Sequence, residues 1–458
     1  MQAGSDVGSW LSDEQLRSRR PWYYVAFGLL LASILFQQPL IFIAGLLALA
    51  LAVIPELWYR FCFSGLVYQR QLGERRVFFG ETVTLRLRVE NRKALPLPWL
   101  EVEDEFPEPL KLQGAKLTPH FKPRRLLLPA AFSLWWYQRV SKRYQIHCVA
   151  RGVFTLGPVK LRSGDPFGLL TREQRVEELD TLLVYPPILP IERFGLPSRH
   201  PFGERAAQRR LLEDPLHVVG ARDWLPGDDL RRVHWKATAR AMTLQSKVYE
   251  PTTTWTLALF LNVNSFPNPA LGVNPSLFDL LMTAAASVSA WSIEQGYSVG
   301  LFSNGVQAMT EVDEPPPAAG ADSSKDGFGA ARVRLRPSGR PEQLPRVLEA
   351  LARLVPFWGS PVEELFLSEQ TRLPAGTTIV WVSTAAAITP VIVEMLLLAR
   401  ARGHAVVLLV AGTEQIEAQG LQVYRLGAEE VWHEIVAQTT KRDNASEADE
   451  SAYRFILA

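Results

Sequence analysis

Residues 220–250 read Gly220-Ala221-Arg222-Asp223-Trp224-Leu225-Pro226-Gly227-Asp228-Asp229-Leu230-Arg231-Arg232-Val233-His234-Trp235-Lys236-Ala237-Thr238-Ala239-Arg240, followed by Ala241-Met242-Thr243-Leu244-Gln245-Ser246-Lys247-Val248-Tyr249-Glu250. Pro226-Gly227 signals a turn, and Asp228 can follow it as a helix N-cap while Asp229 favours the positive end of the helix dipole. The pattern predicts a helix over residues 228–242, because Leu230, Val233, Ala237 and Ala241 recur at three- and four-residue steps. Arg231, Arg232, Lys236 and Arg240 fall largely off that stripe, so the expected helix is apolar beneath and basic outside.

Outward from this stretch the chain divides into two patterns. On the N-terminal side, residues 77–91 alternate apolar and polar side chains around a Gly-containing turn, and residues 99–104, 130–139, 144–149 and 153–161 read as further strands. Residues 60–165 are therefore predicted to form a small β-sandwich of immunoglobulin-like type. On the C-terminal side, apolar strand-length runs at residues 254–263, 297–302, 377–382 and 405–410 alternate with helical patterns at 277–293 and 389–402. That alternation implies a parallel sheet covered by helices on both faces. Residues 166–248 connect the two, residues 311–331 have the Pro- and Gly-rich composition of a flexible insertion, and residues 438–458 form a polar C-terminal tail.

Residues 21–55 carry no charge. As one helix they would be ~50 Å long, well beyond a ~30 Å hydrocarbon core. Gln37-Gln38-Pro39 interrupts the run, so residues 21–59 are expected to form a two-helix transmembrane hairpin after a cytoplasmic tail of residues 1–20. Trp22, Tyr23, Tyr24, Trp58 and Tyr59 would form an aromatic belt on one side. Arg17, Arg19 and Arg20 before the first helix and Arg60, Arg70, Arg75 and Arg76 after the second put both ends in the cytoplasm by the positive-inside rule. A secretory signal peptide would start earlier and be shorter.

The signature Arg222-Asp223, Gly227-Asp228-Asp229, Arg232-Val233-His234-Trp235-Lys236-Ala237 and Ala239-Arg240 resembles the uncharacterised domain family number fifty-eight, bacterial membrane-anchored proteins. Residues 91–99, 151–158 and 165–169 resemble it too. The resemblance implies a von Willebrand A-like domain over residues 249–437, and localisation to the cell inner (plasma) membrane. It also implies two protein partners, a MoxR-type AAA+ ATPase and a transglutaminase-like membrane protein.

Forty-nine Lys and Arg against forty-seven Asp and Glu give no excess pointing to nucleic acid. Cys62 and Cys148 form no metal-ligand pair and read as buried, reduced thiols. There is no Walker-type phosphate loop and no His-Glu-x-x-His pair. Domains of the von Willebrand A type often hold a divalent cation through Asp-x-Ser-x-Ser at the end of the first strand, but the matching positions here are Asn262, Asn264 and Phe266. Mg²⁺ and Ca²⁺ prefer carboxylates, so no metal and no cofactor is expected.

Two readings of the signature remain. In one, Asp223 and Asp228 cap, Arg222 and Arg240 lock the helix to a sheet, and Trp235 packs at a domain junction. In the other, the same residues form a surface that docks a protein partner, since Arg and Trp are prominent among interface hot spots. The expected function is a non-catalytic membrane scaffold, with an enzyme using Asp223, Asp228 and His234 as the alternative.

Overall fold

A computed structural model describes residues 20–197, 202, 212–225, 229, 232–252, 255–268, 271–308, 332–357, 360–416 and 418–443. The expected 311–331 insertion, Gly227, Asp228, residues 1–19 and residues 444–458 lie outside that set, as does most of residues 197–210. The chain divides into two compact units, the first running to Tyr185 and the second from Pro186.

The first unit opens with two helices, α1 (Arg20–Phe36) and α2 (Pro39–Phe61). Gln37, at φ 47°, and Gln38 reverse the chain between them, and Pro39 starts α2 where a missing N–H costs nothing. The helices run side by side: the Tyr23 hydroxyl donates to Glu56 Oε2 at 2.5 Å, and Gly45 lies against Leu30. A Cβ at position 45 would sit 3.0 Å from the Leu30 side chain, so glycine sets this close approach. At ~1.5 Å per residue, α2 spans ~35 Å and α1 ~26 Å. Most of their large apolar side chains, such as Phe27, Leu35, Leu40 and Leu47, are exposed on the outside of the pair.

Twelve strands follow: β1 (Leu66–Leu72), β2 (Arg76–Phe78), β3 (Thr82–Asn91), β4 (Leu97–Pro107), β5 (Lys111–Gln113), β6 (Thr118–Pro119), β7 (Arg125–Leu134), β8 (Arg139–His147), β9 (Gly152–Leu156), β10 (Val159–Gly164), β11 (Thr171–Val176) and β12 (Asp180–Tyr185). They form two antiparallel sheets, ordered β1-β3-β8-β5 and β11-β10-β4-β7-β6, with a small third sheet β2-β12-β9. Alternation in β3 buries Val83, Leu85, Leu87 and Val89, and β4 and β7 contribute Leu100, Val102, Phe132 and Leu134 to the core. Arg70 of β1 crosses from one main sheet to Asp104 of β4 in the other, with neither side chain exposed.

Three details differ from the sequence reading. The expected strand over residues 130–139 ends at Leu134, because Trp135–Gln138 turn the chain into β8 with Tyr137 at φ 54°. The expected strand over 153–161 breaks at Gly157-Pro158 into β9 and β10. Strands β11 and β12 carry the unit past Asp165 to Tyr185. Cys62 and Cys148 are buried and form no disulfide.

The second unit begins with a 3-10 turn (Ile191–Phe194) and continues through β13 (Leu212–Asp223), α3 (Trp235–Ala241), β14 (Gln245–Thr252), β15 (Trp255–Leu261), α4 (Pro275–Glu294), β16 (Tyr297–Ser303), β17 (Val333–Ser338), α5 (Gln343–Arg353), α6 (Val362–Gln370), β18 (Thr378–Thr384), α7 (Pro390–Ala401), β19 (Ala405–Ala411), β20 (Gln422–Gly427) and α8 (Glu429–Asp443). Its main sheet has the order β17-β16-β15-β18-β19-β20, parallel except for β17 at one edge. β15 and β18 are buried along nearly their whole length, as an interior parallel strand requires. On one face Phe260 stacks on Phe302 at 5.0 Å and meets Phe366 edge-on at 4.9 Å, with Trp381 beside them.

Asn274 caps α4 by accepting from the amides of Ser276 and Leu277, and Thr389 caps α7 through the amide of Ile392. Two described helices, Pro39–Phe61 and Pro275–Glu294, are long and apolar enough to cross a membrane. The second is mostly buried, packed on the sheet as a core helix. At the other end α8 runs to Asp443, further than the expected tail boundary at residue 438 allowed.

Candidate functional site

The signature is built on a two-stranded ribbon. β13 and β14 pair antiparallel, with Ala221 opposite Lys247, Arg222 opposite Ser246 and Asp223 opposite Gln245. Between them the chain makes a short excursion: Val233 bridges back to Ser246, and α3 occupies only residues 235–241. The helix expected over 228–242 is thus shorter and starts later. Val233, assigned to its apolar stripe, is buried as a strand-like bridge residue instead.

Gln245 holds this segment together, and nothing in its spacing marked it beforehand. Its side-chain amide donates to Asp223 Oδ1 at 2.5 Å and to Thr243 Oγ1 at 3.2 Å. Its backbone N–H donates to Thr238 Oγ1 at 3.0 Å, and its carbonyl accepts from the His234 amide at 2.7 Å. A buried amide with all these partners fixes both ends of the excursion at once.

His234 is the N-cap of α3, its Nδ1 accepting from the Ala237 amide at 3.2 Å. That bond uses the Nδ1 lone pair, so this nitrogen serves the backbone rather than a substrate proton. Met242 ends the helix at φ 58°, its amide donating to the Thr238 carbonyl. Asp229 accepts from the Arg232 amide through its carbonyl, and an Arg222 guanidinium N–H donates to the Asp223 carbonyl at 3.0 Å. Gly227 and the expected Asp228 cap lie outside the described residues.

The frame leaves Trp235 facing solvent. Trp235 is 71% exposed. Along the same segment Arg232, Lys236, Arg240 and Met242 are exposed as well, as are Leu225 and Leu244. Exposed apolar groups interspersed with cations along one segment have the composition of a recognition surface.

The strand ends carry the second set of candidate residues. Asn262 Oδ1 accepts from the amide of Asn264 at 3.1 Å and from Asn304 Nδ2 at 3.1 Å, while Asn262 Nδ2 donates to Ser383 Oγ at 3.3 Å. Asn304 Oδ1 accepts from the Val263 amide, and Thr384 Oγ1 donates to the carbonyl of Ser265 at 2.8 Å. Phe266 is half-buried and brings no oxygen. The cation implied by likeness to A-like domains does not fit these residues: the oxygens are neutral, and Asn262 Oδ1 already accepts two hydrogen bonds. Among the described residues no group of three or more His, Cys, Asp or Glu could hold a metal ion.

Residues 220–355, starting at the signature ribbon, match the family model described as "Protein of unknown function DUF58". The chain carries a DUF58 domain. It is 25% identical over 276 residues to the uncharacterized protein YeaD of Bacillus subtilis, a match covering 58% of this chain and 60% of that relative. The match therefore spans less than two thirds of that relative's length. Among solved structures, the CARDB domain of the PF1109 protein from Pyrococcus furiosus aligns with 26% of this DUF58 chain and 91% of its own at 12% identity, with a TM-score of 0.17. A cohesin module from Clostridium perfringens covers 26% of this chain and 96% of its own at 12% identity, with a TM-score of 0.20. Neither likeness is strong enough to bear on fold or function.

Proposed function

We propose that this DUF58 protein is a non-catalytic membrane-anchored adaptor that docks a protein partner through the signature segment. The observation that carries the reading is Trp235, exposed beside Lys236 on a frame fixed by Gln245 and His234. An exposed Trp on a rigid support suits a hot spot, because little conformational entropy is lost when it is covered. The neighbouring Arg232, Lys236 and Arg240 favour a partner whose surface offers an apolar pocket with carboxylates around it.

The architecture we assign has three parts. Helices α1 and α2 form a transmembrane hairpin, a reading supported by their length and their apolar outer surfaces. Flanking arginines favour both ends in the cytoplasm at the inner membrane. The two antiparallel sheets are read as an immunoglobulin-like sandwich. The second unit is read as a von Willebrand A-like domain, supported by a strand order that reverses direction between β15 and β18, as doubly wound sheets do. The family resemblance makes a MoxR-type AAA+ ATPase the first partner to test, with a transglutaminase-like membrane protein second.

The test is a photo-crosslinking amino acid placed at position 235 in cells, with position 121 as control. An adduct with a MoxR-type ATPase from position 235 alone supports the reading, and equal adducts from both positions or none from 235 oppose it. Protease added to intact spheroplasts must leave the chain beyond Arg60 uncut if the assigned orientation holds.

A further inference from the structure

One end of the β domain is rimmed with exposed aromatic side chains, and it is the end where α2 joins. Four connections gather there: the α2–β1 junction, the β3–β4 turn, the β7–β8 turn and the β10–β11 turn. They are tied to the last turns of α2 and to each other. Trp58 Nε1 donates to the Pro96 carbonyl at 2.9 Å, and Lys93 Nζ donates to the carbonyls of Cys62 and Ser64. Asn91 Nδ2 donates to the Trp135 carbonyl at 2.9 Å, Trp99 Nε1 to the Asp165 carbonyl at 2.9 Å, and Arg172 to the Arg60 carbonyl at 3.3 Å.

Six large apolar side chains are exposed between Leu66 and Tyr185: Phe121, Trp135, Trp136, Tyr137, Phe167 and Leu169. Five of them sit on this end, and Phe121 lies on the β6–β7 connection at the opposite end. Trp135 and Trp136 pack edge to face, 5.2 Å apart. Scattered exposure would not sort this way, so the asymmetry calls for a physical cause. Basic side chains border the same end: Arg92, Arg139 and Arg172 are exposed, and the nearby Glu90 pairs with only the first two.

We propose that this rim is a second membrane contact, in which Trp135, Trp136, Tyr137, Phe167 and Leu169 enter the headgroup boundary of the bilayer crossed by α1 and α2, while the bordering arginines meet anionic lipid phosphate. Trp and Tyr settle at that boundary because the ring body is apolar and the N–H or O–H stays hydrated. Basic residues near an anionic leaflet are drawn to its negative surface potential. The bilayer is the fitting occupant because the rim is hydrogen-bonded to the end of a helix whose apolar surface needs lipid. The contact seats the β domain on the membrane instead of leaving it on a free tether.

The inference rests on the membrane-spanning reading of α2, and the test separates the two. Spin labels are placed by Trp136→Cys, Phe167→Cys, Phe121→Cys and Leu46→Cys in the full chain, one at a time, in nanodiscs containing anionic phosphatidylglycerol. Cys62 and Cys148 are fully buried and leave the introduced thiol as the labelled one. Collision with oxygen against a water-soluble nickel chelate reports depth. The expected result is immersion at 46, 136 and 167, a several-fold higher oxygen-to-nickel ratio there than at 121, and shallower readings at 136 and 167 in discs of neutral lipid alone. Immersion at 46 with 136 and 167 as water-exposed as 121 overturns the rim contact while the anchor stands. A water-exposed label at 46 overturns both. Unlabelled Trp135→Ser/Trp136→Ser protein provides a second measure: lipid-dependent protection of residues 134–139 in hydrogen exchange must fall relative to wild type, and unchanged protection would also overturn the proposal.

Discussion

Arg70 and Asp104 meet inside the β domain through two hydrogen bonds, Nε to Oδ2 at 2.9 Å and Nη2 to Oδ1 at 2.7 Å. Tyr68 adds a third donor to Asp104, and the free Arg70 nitrogen reaches the Leu156 carbonyl and Asp180. The guanidinium thus joins β1, β4, β9 and β12 at one point. Removing one member of such a pair leaves a buried charge alone, at a cost of about 3–5 kcal/mol. Asp104→Leu should therefore destabilise strongly, whereas Arg70→Met/Asp104→Leu should recover part of the loss and not all, because Asp180 and the Leu156 carbonyl still lose a donor. Denaturant unfolding of the two variants in detergent checks this; a double variant no more stable than Asp104→Leu alone would contradict it.

Gly157 shows how closely the same strands approach. Its φ is +92°, and a Cβ there would stand 2.3 Å from the Glu178 carbonyl oxygen. Backbone must move to make room, so Gly157→Ala is expected to cost more than the ~1 kcal/mol of an unfavourable φ alone. Thermal unfolding should show the drop, and Gly195→Ala, where φ is +72° with open space around it, should cost less.

Gln245 predicts a local effect. Gln245→Ala removes the amide that bonds Asp223 and Thr243, both exposed to water, so the loss should be that of ordinary hydrogen bonds, about 0.5–1.5 kcal/mol each. Hydrogen exchange should quicken at residues 232–246 and stay unchanged in β15 and β18. Equal protection throughout would mean the frame does not depend on this side chain.

His404 gives a pH dependence. Burial holds its imidazole below the usual histidine range, and its Nδ1 is buried without a hydrogen-bond partner. The unfolded chain therefore binds the proton more readily than the folded one. Stability is fully present above the ordinary histidine value of ~6.5 and falls as pH drops below it. Melting temperature followed downward from pH 7.5 should decline in wild type and decline less in His404→Gln.

Much of the fold was legible because hydrophobic period alone specifies it. The alternation from Thr82 to Asn91, the apolar runs of β15, β16, β18 and β19 and the helical patterns at 277–293 and 389–402 are local signals read by one rule each. The signature helix was misplaced because Val233 fits a helical stripe equally well, and its pairing with Ser246 depends on a strand still to come. Trp135–Tyr137 read as strand because aromatics favour strands, while the turn is fixed by Asn91 and Lys93 on another connection. Trp235 was visible as a residue type, but its exposure follows from how Gln245 and His234 close the segment.

The docking claim stands or falls on one affinity. Full-length protein in nanodiscs is titrated with a purified MoxR-type ATPase, comparing wild type with Trp235→Ala/Lys236→Glu, both side chains being exposed and outside the hydrogen-bonded frame. A hot-spot Trp is worth about 2 kcal/mol or more, so binding should weaken at least roughly thirtyfold with the melting temperature unchanged. Equal affinity for the two proteins would contradict docking through the signature.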